Sequence, residues 1–301
     1  MKILKFAAID IGSNAIRLLI MNVIEHKGKS HFKKSSLLRV PLGLGTDSFI
    51  HGHISEGKTE MLIKTMKAFR HLMDIHQAIS YRACATSALR EANNGMQIIQ
   101  RIKQETGIFI NIISGKEEAR IIFSNHIAEE MDPNKYYLYV DVGGGSTDIT
   151  LFANGKQHLS SSFNIGTLKI LSNRVPPGEF IQLKEFLLDI STNGHQIEII
   201  GSGGNINKIL KYSPNNSQKQ LTYHQLKGIY DRIKALSREN RMIKLDMNPD
   251  RADVIIPAAT IFLSIMEWGG IHLIHVPKIG ISDGIVHMLY KEYLRNPLLV
   301  V

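Results

Sequence analysis

One pattern occurs twice in this chain and constrains it more than any other. An apolar strand ends in Asp, x-Gly and small residues follow, and a second strand then begins. The first copy is Asp10-Ile11-Gly12-Ser13-Asn14, between apolar runs at 3–10 and 15–24. The second is Asp141-Val142-Gly143-Gly144-Gly145-Ser146-Thr147-Asp148, between the run 136–141 and the β-branched run Ile149-Thr150-Leu151-Phe152. Glycine permits positive φ and lets backbone N–H groups approach an anion closely. The second copy leads into a strand and not a helix, so it is not a dinucleotide fingerprint. No Lys-Ser/Thr pair closes it, so it is not a Walker loop. Two matched hairpins read as phosphate grips, and plain tight turns are the alternative. The Asp before each turn and the Ser in each copy favour the grips.

The rest of the chain alternates in kind. A basic third strand is expected at 29–40, a helix over 55–76, a short strand at 81–85 and a helix beginning at Thr86 or Ser87. Helix 96–106 and strand 108–113 follow. Ser114-Gly-Lys-Glu117 is a capping box, opening a helix to about Met131 that Asp132-Pro133-Asn134 ends. Asn154-Gly155 signals a hairpin into 156–163. Then come strand 198–201, a Gly203-Gly204 loop, helices at 222–245 and 250–267, strand 271–276 and a C-terminal helix entered through Ser282-Asp283-Gly284. The polar stretch 213–220 is expected to be an exposed loop. The organisation is therefore α/β in two halves, each opening on strand–Asp-x-Gly turn–strand.

With 301 residues there is room for two domains with their own cores, and 44% apolar with 21% charged residues is a globular profile. Cys84 is the single cysteine, so a disulfide framework and a cysteine-ligated metal site are excluded; a cytoplasmic location fits best. The apolar N-terminal stretch is short and broken by Asp10 and Gly12, so no signal peptide is read. Val254 to Met266 is too short to span a bilayer and reads as a buried helix, so no membrane association is expected. The formal net charge of +9 suits polyanionic partners or a scattered basic surface equally. No RNA-binding aromatic signature or zinc-finger spacing accompanies it, so nucleic acid is not expected as a partner.

Several side chains have the chemistry for such partners. Asp10, Asp141 and Asp148 are hard oxygen ligands suited to Mg²⁺ or another divalent cation. His51 with His53, and His272 with His275, have metal-compatible spacing, but loop and core histidines are commoner. Thr86-Ser87-Ala88-Leu89-Arg90 places two hydroxyls and an arginine at a helix start, which can bind an anion or simply cap the helix. Arg17 follows the first turn and can reach the same anion. Gly201-Ser202-Gly203-Gly204-Asn205 repeats the strand–Gly loop–helix logic, as a phosphate or nucleotide loop or merely a βα turn. Glu118 lies about 100° around the helix from the capping Glu117. A carboxylate there can orient a water or complement the helix dipole, and local sequence alone favours the second.

Taken together, these residues resemble the exopolyphosphatase/guanosine pentaphosphate phosphohydrolase family. The matching pieces are Asp10-x-Gly-Ser-Asn14, Thr86-x-x-x-Arg90, Ile113-Ser-Gly-x-Glu-Glu-Ala-Arg120, Asp141-x-Gly-Gly-Gly-Ser-Thr147, the Gly201 loop and Ser282-Asp-Gly284. The resemblance implies two actin-like (ribonuclease H-like) domains with an interdomain active-site cleft, Asp10 and Asp141 facing each other across it. The domains are expected at 1–120, with a C-terminal helix at about 286–301, and at 125–285; the chain is similar to the short, two-domain members. It implies release of terminal orthophosphate from polyphosphate, with Glu118 as catalytic base and Asp141 helping to hold Mg²⁺ or the water. Phosphate gripping is implied for Ser13, Asn14, Arg17, Thr86, Arg90, Gly144, Gly145, Ser146, Thr147, Gly203 and Gly204. Guanosine pentaphosphate or tetraphosphate is the alternative ligand, either as substrate or bound by a non-catalytic regulator, and a homodimer is carried as a further expectation. This sequence departs from the family in having Asp148 for the usual Glu, Ala15 for a hydroxyl residue and Asn205 for Thr.

Overall fold

The computed structural model describes residues 1–296 apart from 123–131, 133, 155, 192–194, 215 and 278. The chain divides into two compact units, Met1–His126 with Gly280–Val301, and Ile127–Ile279. Each is built on one sheet.

The first sheet contains β1 (Lys2–Ile11), β2 (Ile16–His26), β3 (Lys29–Val40), β4 (Ser80–Ala85) and β5 (Ile110–Ile112), in the order β3-β2-β1-β4-β5. β1 to β3 form an antiparallel meander, and β4 and β5 run parallel to β1. Parallel strands covered on both faces read as continuous apolar runs, and β1 is buried from Phe6 to Ile11. One face, with Ala7, Ile9 and Ile11, packs on Leu62, Met66 and Phe69 of α2 (Glu56–Ile75) and Ile98 and Ile102 of α4 (Gly95–Thr106). On the other face Phe6 meets Tyr290 and Tyr293 of a late helix, Ile281–Arg295, edge to ring. The β2–β3 hairpin turns on Lys27 (φ 49°) and Gly28 (φ 74°), the two left-handed residues that a tight twisted hairpin requires. β3 is an exposed edge, and its lysines discourage pairing with another strand. Three shorter helices serve the turns: α1 (Leu44–His51), α3 (Ser87–Glu91) and α5 (Gly115–Ile122).

The second sheet contains β6 (Tyr136–Val142), β7 (Thr147–Ala153), β8 (Lys156–Phe163), β9 (Ile197–Ser202), β10 (Gln220–Thr222) and β11 (Leu273–His275), in the order β10-β11-β9-β6-β7-β8. Its helices are α6 (Thr167–Leu171), α7 (Glu179–Ser191), α8 (Gly204–Leu210), α9 (Tyr223–Lys234), α10 (Arg238–Lys244) and α11 (Pro249–Trp268). α11 is the buried helix expected from the Val254–Met266 run, with Ile255, Ala258, Phe262 and Ile265 in the core beneath β6 and β9. The late helix of the first unit is α12 (Ile281–Arg295). The two sheets repeat one plan: an antiparallel meander whose first strand is flanked by two parallel strands, β3-β2-β1-β4-β5 against β8-β7-β6-β9-β11. The expected α/β class is therefore observed.

Three expectations need adjustment. The helical stretch 222–245 is two helices, because Ser237 caps a new start by accepting from Asn240 N at 3.2 Å. The polar stretch 213–220 is not all loop: Asn216–Gln218 forms a 3₁₀ turn and Gln220 opens β10. The strand at 108–113 is only Ile110–Ile112. The helix opened by Ser114 is seen to Ile122, and its expected continuation to Met131 lies outside the described residues, as does Gly155 of the β7–β8 turn. Asn154 of that turn is left-handed (φ 51°) and Ala153 pairs with Lys156, as an Asn-Gly hairpin needs. Among the described residues no helix is long and apolar enough to cross a membrane.

Candidate active site

In the first unit the Asp-x-Gly turn sits at the carboxyl end of β1, beside the carboxyl ends of the parallel strands β4 and β5. Open α/β sheets bind ligands at that end. Gly12 N donates to Ala15 O at 3.2 Å and closes the turn. Thr86 N donates to Ile11 O at 3.2 Å, so the start of α3 lies against the turn. Ser13 is buried, with its Oγ 2.9 Å from Ser87 Oγ. Gly45 N and Gly43 N donate to the carbonyls of Ser13 (2.8 Å) and Asn14 (3.0 Å), fixing the turn against the start of α1. Asp10 is buried and its Oδ2 accepts from Arg17 Nη1 at 2.6 Å. Exposed Arg90 donates from Nη1 to Ile113 O at 2.9 Å, tying α3 to the segment that enters α5.

At α5, Ser114 Oγ accepts from Glu117 N at 3.2 Å, which is the serine half of the capping box. The Glu117 carboxylate pairs with Arg120 at 2.9 Å. Glu118, next along, is half-buried in the first helical turn. α5 rests on α12 with no room to spare: a Cβ on Gly284 would lie 2.6 Å from Ile121 O. The nearby Cys84 thiol is pushed up to about 12 by burial, with the charges of Asp10 and Glu118 adding to the effect. It therefore stays protonated and is no nucleophile at neutral pH.

The second unit repeats the turn. Gly143 N donates to Ser146 O at 2.9 Å, the counterpart of Gly12 and Ala15, and in both copies a Cβ on the turn glycine would stand 3.2 Å from the accepting carbonyl. Gly143 O and Gly144 O accept from Thr167 N (3.0 Å) and Leu168 N (2.9 Å) at the start of α6. Gly166 makes this approach feasible, since a Cβ there would fall 2.2 Å from Gly144 O. Gly144, Gly145, Ser146 and Thr147 are all buried, and Thr147 Oγ1 donates to Ile165 O at 2.6 Å.

Asp141 and Asp148 stand directly opposite each other on β6 and β7. Asp148 Oδ2 accepts from Ser146 Oγ at 3.0 Å, whereas its Oδ1 is buried without a partner among the described residues. Asp141 is also level with Ser202 on β9, where the Gly loop begins. Gly203 is left-handed (φ 97°), and a Cβ on it would sit 3.1 Å from Asp141 Oδ1. Gly204 lies under the Arg251 guanidinium, which hydrogen-bonds the Asn205 side chain.

Each unit thus gathers its own set. Ser13, Asn14, Arg17, Asp10 and Thr86 lie at one turn, with Arg90 reaching instead to Ile113 O on the segment that enters α5, and Gly144 to Asp148, Asp141, Gly203 and Gly204 lie around the other. Among the described residues no three His, Cys, Asp or Glu side chains form a metal-holding group. The histidine pairs are otherwise engaged: His53 bonds the His51 carbonyl (3.1 Å), and His275 Nε2 lies 2.6 Å from buried Glu198. Burial alone would raise the Glu198 carboxyl, but hydrogen bonds from Lys135 and His275 bring it below its ordinary value. Gly166 and Arg251 are site neighbours that no local pattern announces, because what demands them lies far away in the chain.

The chain matches the Ppx/GppA phosphatase family over residues 23–292. A bifunctional 3-dehydroquinate synthase/phosphatase of Fusobacterium nucleatum is 29% identical over 289 residues, covering 88% of this chain and 43% of that protein. Exopolyphosphatase 1 of Mycobacterium bovis is 24% identical over 180 residues, 58% of this chain and 49% of that protein. The chain spans about half the length of the curated relatives it matches. The crystal structure of a Ppx/GppA family member from Aquifex aeolicus superposes with a TM-score of 0.75 at 27% identity, over 97% of this chain and 99% of that one. Both units are accordingly actin-like domains.

Proposed function

Because the chain belongs to the Ppx/GppA phosphatase family, we propose that it hydrolyses the terminal phosphoanhydride bond of inorganic polyphosphate, with Glu118 as general base. The observation that carries this reading is the turn built twice, Gly12 to Ala15 and Gly143 to Ser146, each placed one residue after an Asp-x step at the end of a parallel strand.

Water attacks the terminal phosphorus and Glu118 takes its proton as the new P–O bond forms. The bridging P–O bond breaks, its electron pair stays on the oxygen of the shortened chain, and orthophosphate leaves. A carboxylate in the first turn of α5 suits this role because the neighbouring Glu117 is committed to Arg120. In the first unit Ser13, Asn14, Thr86 and Arg90 grip phosphate oxygens, and Arg17 does so while oriented by Asp10. In the second unit the backbone of Gly144 to Thr147 and the Gly203-Gly204 loop do the same.

Asp141 and Asp148 fit a divalent cation. Like charges opposite each other on paired strands destabilise a sheet, and one Asp148 oxygen is buried with no described partner. Mg²⁺ is held by one or two carboxylates, waters and substrate phosphates, so two carboxylates are enough. Bound there, it would neutralise charge on the phosphoryl oxygens. Asp10 serves its arginine instead.

The test is orthophosphate release with no acceptor present, comparing polyphosphate with guanosine pentaphosphate, with Mg²⁺ and after chelation. Release from polyphosphate with the higher kcat/KM, abolished by chelation, is expected. Release from neither substrate overturns the reading; release from guanosine pentaphosphate alone overturns the choice of substrate.

A further inference from the structure

α3, from which Arg90 projects, is pinned to the first turn and to α1. Thr86 N donates to Ile11 O at 3.2 Å, Ser87 Oγ lies 2.9 Å from Ser13 Oγ, and Ser48 Oγ donates to Ala88 O at 2.8 Å. From that base Arg90 reaches 23 residues along the chain, its Nη1 donating to Ile113 O at 2.9 Å. Ile113 N donates to Ala85 O at 2.9 Å, so both backbone polar groups of Ile113 are held. The next residue opens α5: Ser114 O accepts from Glu118 N at 2.9 Å, and Ser114 Oγ from Glu117 N at 3.2 Å. The Ile113 carbonyl and the Ser114 N–H share one rigid peptide plane. Holding that plane fixes where the first turn of α5 begins, and with it Glu118. A guanidinium carries five N–H donors in a fixed planar fork. Among the described residues this exposed one donates only to Ile113 O, which leaves the rest of the fork for a phosphate.

We propose that Arg90 is a positioning residue for the base: it braces Ile113 O, and so holds Glu118 at a set distance from the phosphate that the remaining donors take. This deepens the polyphosphate reading and rests on it. Grip and brace are separable by chemistry. Arg90→Lys keeps the charge for a phosphate, but a compact ammonium lacks the fork that serves carbonyl and phosphate at once. Arg90→Met removes both.

Two measurements on the full chain test the brace. The first is amide hydrogen exchange without substrate. Arg90→Met should speed exchange at Glu117 and Glu118 about fivefold, the effect of losing one ordinary hydrogen bond, and leave α4 unchanged. The second is a double-mutant cycle on inorganic polyphosphate of one defined length. Arg90→Lys should lower kcat about a hundredfold, as a misplaced catalytic group does. Affinity, titrated calorimetrically with Glu118→Gln so that little is consumed, should change less than threefold. With Glu118→Gln in place no base is left to misplace, so adding Arg90→Lys should lower the residual rate less than threefold. Equal rate losses in the two backgrounds, or a loss of affinity that accounts for the whole loss of kcat/KM, would show that Arg90 only grips phosphate. Unchanged exchange in folded Arg90→Met also refutes the brace, and in each case the function stands. Glu118→Gln as fast as its parent overturns base and brace together, and a parent inert toward polyphosphate overturns the function. Should Arg90→Met fail to fold, the Arg90→Lys cycle decides alone.

Discussion

Glu117 and Glu118 are adjacent and chemically alike, yet their surroundings differ. Glu117 gives its backbone N–H to Ser114 and its carboxylate to Arg120, both on its own helix. Glu118→Gln is expected to lower phosphate release about 10²–10⁴-fold with folding intact. Glu117→Gln should stay within about twofold of the parent, since an exposed pair at this spacing contributes about 0.3–0.5 kcal/mol. Steady-state rates and melting curves of the two variants check this, and a dead Glu117→Gln beside an active Glu118→Gln would refute the assignment. The separation of the two was legible from the capping rule, though only half of the capping box is formed: Ser114 accepts from Glu117 N, while the Glu117 carboxylate pairs with Arg120. Gly12 and Gly143 were legible because each turn closes on itself within four residues. Gly166 was not: its missing side chain is explained by the backbone of Gly144, and sequence spacing carries no record of that approach. Arg251 is similar, reaching Asn205 from another helix.

Helices were legible where one signal ran their whole length. α11 starts at Asn248-Pro249, is apolar all round and stops at Gly269. α1 was not legible: it is short, rich in poor helix formers and bounded by left-handed Gly43 and Gly52, so only its packing makes it a helix. α7 has Leu183, Leu187 and Ile190 buried at helical spacing, a stripe the sequence does carry. The contact that matters most between elements is α5 on α12. Gly284 lets the two backbones meet where an alanine methyl would press on Ile121 O, three residues beyond Glu118. Gly284→Ala should therefore tilt α5. Overpacking of this kind costs about 1–3 kcal/mol, and a misplacement of about 1 Å can lower kcat about a hundredfold. Urea midpoints and kcat measured on the same preparations separate the two effects. A destabilised variant with unaltered kcat would show that the contact supports the fold and not the base.

The duplicated plan was legible across the whole molecule because each copy opens on the same short motif, and strand order follows from hairpin and crossover rules once the turns are placed. That the first unit is assembled from two distant stretches was expected from the family resemblance and not from periodicity or spacing; the stretches are Met1–His126 and Gly280–Val301, while the second unit, Ile127–Ile279, is continuous. α12 covers the sheet face bearing Phe6, stacks His287 on Phe32 with ring centroids 3.7 Å apart, and places Tyr290 OH 2.9 Å from Glu25. Domains fold as units during synthesis, usually the N-terminal one first. Here that order should reverse. A chain halted at residue 279 is expected to resist brief proteolysis across the second unit and to be cut throughout residues 1–126, read by mass spectrometry of the fragments. Equal resistance of both units would refute this. On the ribosome, α5 lacks its α12 neighbour until residues beyond 280 have left the exit tunnel, so the unit that opens the chain is completed only after the one that follows it.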